Sequence, residues 1–483
     1  MVESLNCAAR VESLKRLKAK TEGLDSTIQQ FNDSTREGVA LALDLGTTSL
    51  VGRLLSADGS VLAESRVTNP QRPFGADILT RLQRANEGAG DQLRQALVEG
   101  VRSLIAGLLA QAGCQPAKIG AFAAAGNPGI CHLLLGLPVT TLIFPPHRSP
   151  LTTLTTLPAA AIDFGLPAPL QLFPAVSGFV GGDLVAVLYG ACGAVERACG
   201  PVESLNSLKN LAPKGSIQQF NARSAFNNST HKHGHEAMLV LDLGTNAEIG
   251  LWTGDRWLVT SAAAGPTFEA GNIGCGMPLA PGAVTDVQLA GDRLLLNVSG
   301  NGRPSGLCGS GLLALVAAAR QGGLVDAGGR IVAPEEVGTN LARYLVPDRD
   351  GWALCFHRDA RGRLCLTQDD VRQLQLAKGA VRAGVEVLLE RAGLDAAAVT
   401  ALMVTGAFGA ALPREAVKGI AMLPEGMVDK ALSVSNGVLD GLAAYLVDPL
   451  GTERLQSLLA AIKPLPLSGT PAFEKRFLAA LEF

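Results

Sequence analysis

The strongest constraint on this chain is a pattern that occurs twice. Residues 39–44 form an apolar run ending in Asp44-Leu45-Gly46-Thr47-Thr48. An alternating run, 50–55, follows, then Asp58-Gly59 and a returning run at 61–67. The same order recurs at 238–242, ending in Asp242-Leu243-Gly244-Thr245-Asn246, and continues through 248–252, Thr253-Gly254-Asp255 and 256–261. The two aspartates stand 198 positions apart. Alternating apolar runs joined at Asp-Gly or Gly-Asp predict a β-hairpin in each copy. Repetition of the whole pattern predicts two related lobes.

Each hairpin is followed by helical spacing. Residues 93–112 repeat apolar positions with helical period up to Gly113. Residues 311–321 follow a Gly-rich turn and end at Gly322-Gly323, and 369–392 form a long amphipathic stretch behind Thr367, a cap-forming residue. Residues 401–405 read as a buried strand that leaves through Gly406-Ala407-Phe408-Gly409.

Composition removes several classes of function. With 47% hydrophobic and 17% charged among 483 residues, the chain has enough apolar side chains for a large core, which excludes global disorder. Lys and Arg number 41 against 43 Asp and Glu, a net charge of −2, so no broad nucleic-acid footprint is expected. Nine cysteines are scattered without any C-x-x-C spacing. This odd number, and an N-terminus without an apolar leader core, predict reduced thiols in the cytoplasm. Residues 119–146 carry no Asp, Glu, Lys or Arg, but Gly126-Asn127-Pro128-Gly129, Gly136, Pro138 and Pro145-Pro146 interrupt them. A buried strand–loop–helix is expected there, because lipid does not tolerate an open loop.

A second repetition has a different character. Val2-Glu3-Ser4-Leu5-Asn6 recurs as Val202-Glu203-Ser204-Leu205-Asn206, and residues 26–32 recur approximately at 216–221. Both copies are polar and precede a hairpin, so both are expected to be poorly ordered linkers. The expected organisation is an N-terminal segment 1–38, a first lobe 39–200, an inserted linker 201–236, a second lobe 237–448 and a helical tail 449–483.

The chemistry of D-L-G-T suits a nucleoside triphosphate. Glycine lets backbone N–H groups approach phosphate oxygens, and the Thr hydroxyl donates to them. The Asp carboxylate either holds a magnesium shell or orients the attacking water, since hard cations prefer oxygen. Two copies could hold one phosphate chain from both sides. Gly406 allows a flat ligand to lie against the backbone, although a strand-ending turn accounts for it equally well. Leu307-Cys308-Gly309-Ser310-Gly311 opens a helix, where N–H groups favour an anion or a ribose edge; a simple capping turn is the alternative. Glu269 and Asp183 are acids beside Gly-rich loops, suited to magnesium, water orientation or loop capping. His231-Lys232-His233-Gly234-His235 has metal-binding side chains but reads as a solvated linker. Cys275 and Cys308 read as small residues packed in Gly-rich turns rather than as cluster ligands.

Together with Val404-Thr405-Gly406-Ala407-Phe408-Gly409, the paired hairpins resemble the phosphate and adenosine motifs of the actin, sugar kinase and heat-shock chaperone ATPase superfamily. Further segments narrow the resemblance: 69–77, Ala125-Gly126-Asn127-Pro128 with 132–136, Gly181-Gly182-Asp183, 242–248, 264–269, Cys275-Gly276-Met277 and Cys308-Gly309-Ser310-Gly311. In that order they resemble the ATPase region of ATP-dependent reductive activators of corrinoid proteins, over residues 39 to 445 without 201–236.

The resemblance implies an α/β, two-lobed actin-like fold with ribonuclease H-like lobes, each a mixed five-stranded sheet flanked by helices. It implies ATP and magnesium as cofactors, with Asp44 and Asp242 catalytic. Gly46, Thr47, Thr48, Gly244, Thr245, Asn246, Gly309, Ser310, Gly406, Ala407 and Gly409 would bind nucleotide, and Asp44, Asp242 and Asp183 would bind the metal. Expected partners are a corrinoid protein, a separate iron–sulfur electron donor and a second copy of the chain, with no nucleic acid and no membrane. Residues 1–38 hold only Cys7, so no iron–sulfur cluster is expected in this chain. A small-molecule kinase and a nucleotide-dependent chaperone or scaffold are the alternative functions.

Overall fold

The structure is a computed structural model that describes residues 38–199 and 237–483, apart from residues 163 and 350. Of the expected N-terminal segment 1–38 all but residue 38, and the whole of the expected linker 201–236, with Cys7 and the histidines at 231–235, lie outside the described residues. The chain divides into two compact units, taken in turn.

The first unit opens with the expected hairpin. Strands β1 (Val39–Leu45), β2 (Ser49–Leu55) and β3 (Val61–Thr68) pair antiparallel. On its other side β1 pairs parallel with β4 (Ile119–Gly126). The sheet continues through β6 (Leu170–Leu172) to a three-residue strand, β5 (Thr155–Leu157), at the edge, in the order β3-β2-β1-β4-β6-β5. The five expected strands thus acquire a short sixth. Leu41, Leu43 and Leu45 of β1 are buried, as a strand flanked on both sides requires.

Helix α1 (Gly90–Ala112) buries Leu93, Leu97, Val101, Leu104 and Leu108, one stripe of helical period, and packs on β2 and β3. Gly52 of β2 makes this approach possible: a Cβ there would stand 2.7 Å from a Leu108 methyl. Gly113, at φ 60°, ends the helix. The charge-free stretch is β4, a turn at Asn127 and helix α2 (Pro128–Leu135), as expected. Helix α3 (Gly182–Cys199) follows.

Residues Asn436–Pro464 return to this unit rather than closing the second lobe, so the expected boundaries 237–448 and 449–483 do not match the compact units. Helix Gly437–Leu446 packs on α3, where a Cβ on Gly441 would lie 1.8 Å from the Ala186 carbonyl. Its Asp440 accepts from Arg53 Nη1 at 2.7 Å, and Arg53 Nε donates to Glu64 at 2.8 Å. Tyr445 stands edge-on to Phe173, 5.0 Å between centroids.

The second unit repeats the plan. Strands β7 (Ala237–Leu243), β8 (Ala247–Trp252) and β9 (Trp257–Ala262) form an antiparallel meander. Two sheets inserted between the hairpin and its parallel neighbour left no period readable in the sequence. One contains β10 (Ala283–Ala290), β11 (Arg293–Val298) and β12 (Gly306–Leu307); the other contains β13 (Leu345–Asp348), β14 (Gly351–Asp359) and β15 (Gly362–Leu366). Helix α4 (Gly309–Gln321) packs on β10, and helix α5 (Gln368–Ala392) on β8 and β9. Strand β16 (Val399–Gly406) pairs parallel with β7, and β17 (Ala431–Ser433) with β16. The order β9-β8-β7-β16-β17 therefore matches β3-β2-β1-β4-β6 of the first unit.

Leu465–Phe483 completes the second unit. Leu465 N donates to Val259 O at 2.8 Å along the outer edge of β9. Lys378, fully buried on α5, donates to the Glu482 carbonyl and lies 4.9 Å from the Phe483 ring centroid. Among the described residues no helix is long and apolar enough to cross a membrane.

Candidate functional site

In the first unit Asp44 is the penultimate residue of β1, opposite Val51 of β2 and Ala125 of β4. The chain turns at Gly46, where a Cβ would lie 2.5 Å from the Ser49 carbonyl, so glycine is required. Thr47 is buried and its hydroxyl accepts from Asn127 Nδ2 at 3.0 Å. The backbone on either side is held by Asn69, fully buried: its Nδ2 donates to Gly46 O and its N–H to Thr48 O, both at 2.9 Å.

This tether continues inward. Gln71 N donates to Asn69 Oδ1 and Gln71 Nε2 to the Leu93 carbonyl on α1, each at 2.9 Å. Arg81 donates to Gln71 Oε1 at 3.4 Å and to Gly75 O at 2.8 Å. Burial lowers the Arg81 pKa to about 10, against the opposing influence of Asp77. The residues that shape the first loop thus reach α1 through a buried polar chain.

Asp183 lies at the start of α3, where the Leu184 N–H donates to it at 2.9 Å. A Cβ on neighbouring Gly181 would stand 2.6 Å from Asp183 Oδ1, from Asn127 Cα and from Gly126 O. Asp183, Asn127 and Thr47 therefore share one neighbourhood. Burial raises the Asp183 carboxyl to about 6, against its backbone hydrogen bonds.

In the second unit Asp242 is again penultimate in its strand, opposite Glu248 of β8 and Thr405 of β16. The turn closes with Gly244 N donating to Asn246 O at 3.0 Å. Thr245 donates to Glu269 at 3.3 Å, and Glu248, buried, accepts from Ser261 at 3.0 Å. Gly406 has φ 78°, and a Cβ on it would meet Leu243 O at 2.4 Å and Asp242 Oδ1 at 2.6 Å. Ala407 N donates to Leu243 O at 2.6 Å, which brings the two motifs together.

The helix-opening motif joins them through Phe268. A Cβ on Gly309 would come within 1.8 Å of the Phe268 carbonyl, and the Phe268 ring stands edge-on to Phe408 at 5.7 Å. Ser310 donates to Thr285 O at 2.8 Å, and a Cβ on Gly409 would meet Val434 O at 2.3 Å. Cys308 Sγ contacts Val284 O at 3.3 Å, as a packed thiol does. Burial, with Asp370 nearby, pushes Cys275 up to about 12.

The sequence model of a family described as the C-terminal domain of RACo, the ASKHA domain, matches residues 236–483, and that of the RACo middle region matches 39–192. The chain belongs to the RACo family. The corrinoid activation enzyme RamQ of Eubacterium limosum is 26% identical over 435 residues, covering 86% of this chain and 65% of that protein. The [Co(II) methylated amine-specific corrinoid protein] reductase of Methanosarcina barkeri is 29% identical over 252 residues, covering 48% of this chain and 42% of that protein. A solved structure, a reductive activator for corrinoid, iron-sulfur protein, superposes with TM-score 0.76 at 25% identity, over 93% of this chain and 67% of that one. The chain thus spans less than two thirds of the length of these two curated relatives.

The RACo ASKHA domain is an actin-like, nucleotide-binding ATPase fold. The residues present fit a nucleotide: glycines 46 and 406 stand where a Cβ would strike backbone, and hydroxyls and carboxylates crowd both strand ends. Among the described residues no group of three or more His, Cys, Asp or Glu could hold a metal ion alone. Asn69, Asn127, Glu248 and Thr405 are the site residues to which the sequence assigned no role. All four lie within quoted motifs, but only the fold shows what Asn69, Asn127 and Glu248 touch and that Thr405 stands opposite Asp242.

Proposed function

We propose that this chain is the ATP-binding and ATP-hydrolysing part of a cytoplasmic system that reduces the cobalt of a corrinoid protein from +2 to +1. One observation carries the reading. Both units of a RACo-family chain place an aspartate at the penultimate position of the same central strand, followed by a Gly-Thr turn, beside a parallel strand. The names of the relatives support the corrinoid partner.

In this reading the Gly46–Thr48 and Gly244–Asn246 turns bind the phosphates, and Gly406, Ala407 and Gly409 lie against the adenosine. Gly309 and Ser310 contribute backbone N–H groups at the start of α4. Asp44 and Asp242 orient the attacking water and, with Asp183, hold magnesium, which neutralises phosphate charge when bound. Asn127 fixes the Thr47 hydroxyl, and Glu269 the Thr245 hydroxyl. Corrinoid cobalt accepts a methyl group only as +1, and re-reduction from +2 is uphill. Nucleotide-driven change in the bound partner makes the single electron transfer favourable. The electron comes from an iron–sulfur centre outside residues 38–483.

The test is an anaerobic assay of the cobalt spectrum with the chain, a corrinoid protein, an iron–sulfur reductant and ATP. ATP-dependent appearance of the +1 spectrum supports the reading. Substrate-dependent ADP formation with a phosphorylated metabolite replaces it with a kinase. ATPase stimulation with an unchanged cobalt spectrum replaces it with a chaperone or scaffold.

A further inference from the structure

Strands β14 and β15 carry a chemical group that the nucleotide reading leaves unused. Cys355 of β14 stands directly opposite Cys365 of β15. Opposed residues in an antiparallel pair have Cα atoms about 4.5–5.5 Å apart, inside the roughly 4.4–6.8 Å that a disulfide spans. Their side chains share a face, and Cys355 helps raise the Cys365 pKa, while the Cys355 thiol itself donates to the His357 carbonyl at 3.5 Å. The two thiols are not bridged.

The two differ in access. Cys355 is 5% exposed, in a small apolar cluster with Val346 and Ala353, whereas Cys365 is half-buried at the margin of that cluster. The register steps between Cys355 and His357, so the ladder is loosened beside the buried thiol. Arg358 Nη2 lies 4.0 Å from Cys355 Sγ, and Arg358 and Arg363 both favour a thiolate on Cys365. Burial works against them and raises Cys365 to about 11, so exchange is slow at neutral pH. Cys275, whose pKa Asp370 and Cys365 both help raise, is the thiol to compare with the pair.

We propose that Cys355 and Cys365 form a two-electron dithiol–disulfide couple that exchanges with small-molecule disulfides of the glutathione class. The accessible Cys365 thiolate attacks one sulfur of the small disulfide, the S–S bond breaks, and one thiolate leaves. Cys355, as thiolate, then attacks the Cys365 sulfur of the mixed disulfide and displaces the second. The two protein thiols are oxidised, the small disulfide is reduced to two thiols, and the two protein protons end on those thiols. A dithiol runs the sequence backwards. The couple is independent of the nucleotide reading and stands or falls without it.

The test uses the full chain in native buffer with oxidised glutathione, followed by acid quench, alkylation and peptide mapping. The expected result is a Cys355–Cys365 bridge, loss of two hydrogens in mass, and reversal by dithiothreitol. In Cys355→Ser the reaction should stop with one glutathione on Cys365, while Cys365→Ser should leave Cys355 unmodified. The wild-type mapping is decisive even if a variant fails to fold. A persistent adduct on wild-type Cys365, a bridge from Cys275, or unchanged thiols would overturn the proposal.

Discussion

Asn127 donates its side-chain amide to the Thr47 hydroxyl at 3.0 Å while its carbonyl oxygen accepts from Ile130 N–H at 3.0 Å. One side chain thus caps α2 and fixes a hydroxyl of the first loop. The two roles separate by substitution. Asn127→Asp keeps the cap acceptor but loses the donor to Thr47 and adds negative charge beside the loop. Its ATP affinity should fall roughly tenfold, about 1.4 kcal/mol. Asn127→Ala should also lose about 1 kcal/mol of stability with the cap. Calorimetric titration and chemical denaturation on the same samples check both.

Asp44→Asn and Asp242→Asn preserve shape and remove charge. Each should leave the circular dichroism spectrum unchanged and lower ATP turnover by roughly 100-fold, about 2.7 kcal/mol in the barrier. Turnover unchanged in both variants would remove the two aspartates from the reaction.

Two loop glycines should respond very differently to alanine. Gly406→Ala places a Cβ 2.4 Å from Leu243 O at φ 78° and pushes against Asp242. The left-handed backbone alone costs about 1–2 kcal/mol, and relief of the clash adds to it. A Cβ on Gly244 would find nothing nearer than Asn246 O at 3.6 Å. Thermal melts should show a large fall for the first and little change for the second.

The sequence located the two hairpins, α1, α5 and β16 to within a few residues, because each has one periodic apolar face and a terminating residue that acts locally. Gly113 and Thr367 end and begin helices through their own backbone or hydroxyl. The destination of helix Gly437–Leu446 was not legible. Its apolar pattern fits any neighbour, and the contacts that decide the matter, Asp440 with Arg53 and Gly441 with Ala186, join residues hundreds of positions apart. The site divided in the same way. Asp44 and Asp242 stood out by repetition, whereas Asn69, needed for the Gly46 carbonyl, has no local signature that states its partner.

The Arg53–Asp440 pair is buried at both ends, with side chains 7% and 5% exposed. Asp440→Ala leaves a buried guanidinium with only Glu64 and should cost about 3–5 kcal/mol. The double variant Arg53→Met with Asp440→Leu should recover most of that loss. Urea denaturation of the wild type and both variants measures the difference.

Lys378 gives the fold a pH dependence. Burial lowers it from 10.5 to about 7, with Arg382 and Arg320 contributing and Glu482 opposing. Between those values the unfolded chain binds the proton and the folded chain does not. The destabilisation is therefore complete below pH 7 and fades as pH rises toward 10.5. Stability should climb by up to about 1.4 kcal/mol per pH unit above neutrality. Lys378→Met should flatten that climb in urea melts taken from pH 7 to 9.

Because Asn436–Pro464 belongs to the first unit, that unit's ingredients leave the ribosome in two instalments separated by most of the second unit. At about 5–20 residues per second, roughly 10–50 s elapse between synthesis of α3 and of the helix that covers it. Throughout that interval the nascent chain presents Ala186 and Gly190 without the Gly441 surface that fits them, and Arg53 without Asp440. A half-made polypeptide of this kind is a natural client for a holdase, and its yield in the cell should depend on translation speed across residues 200–436.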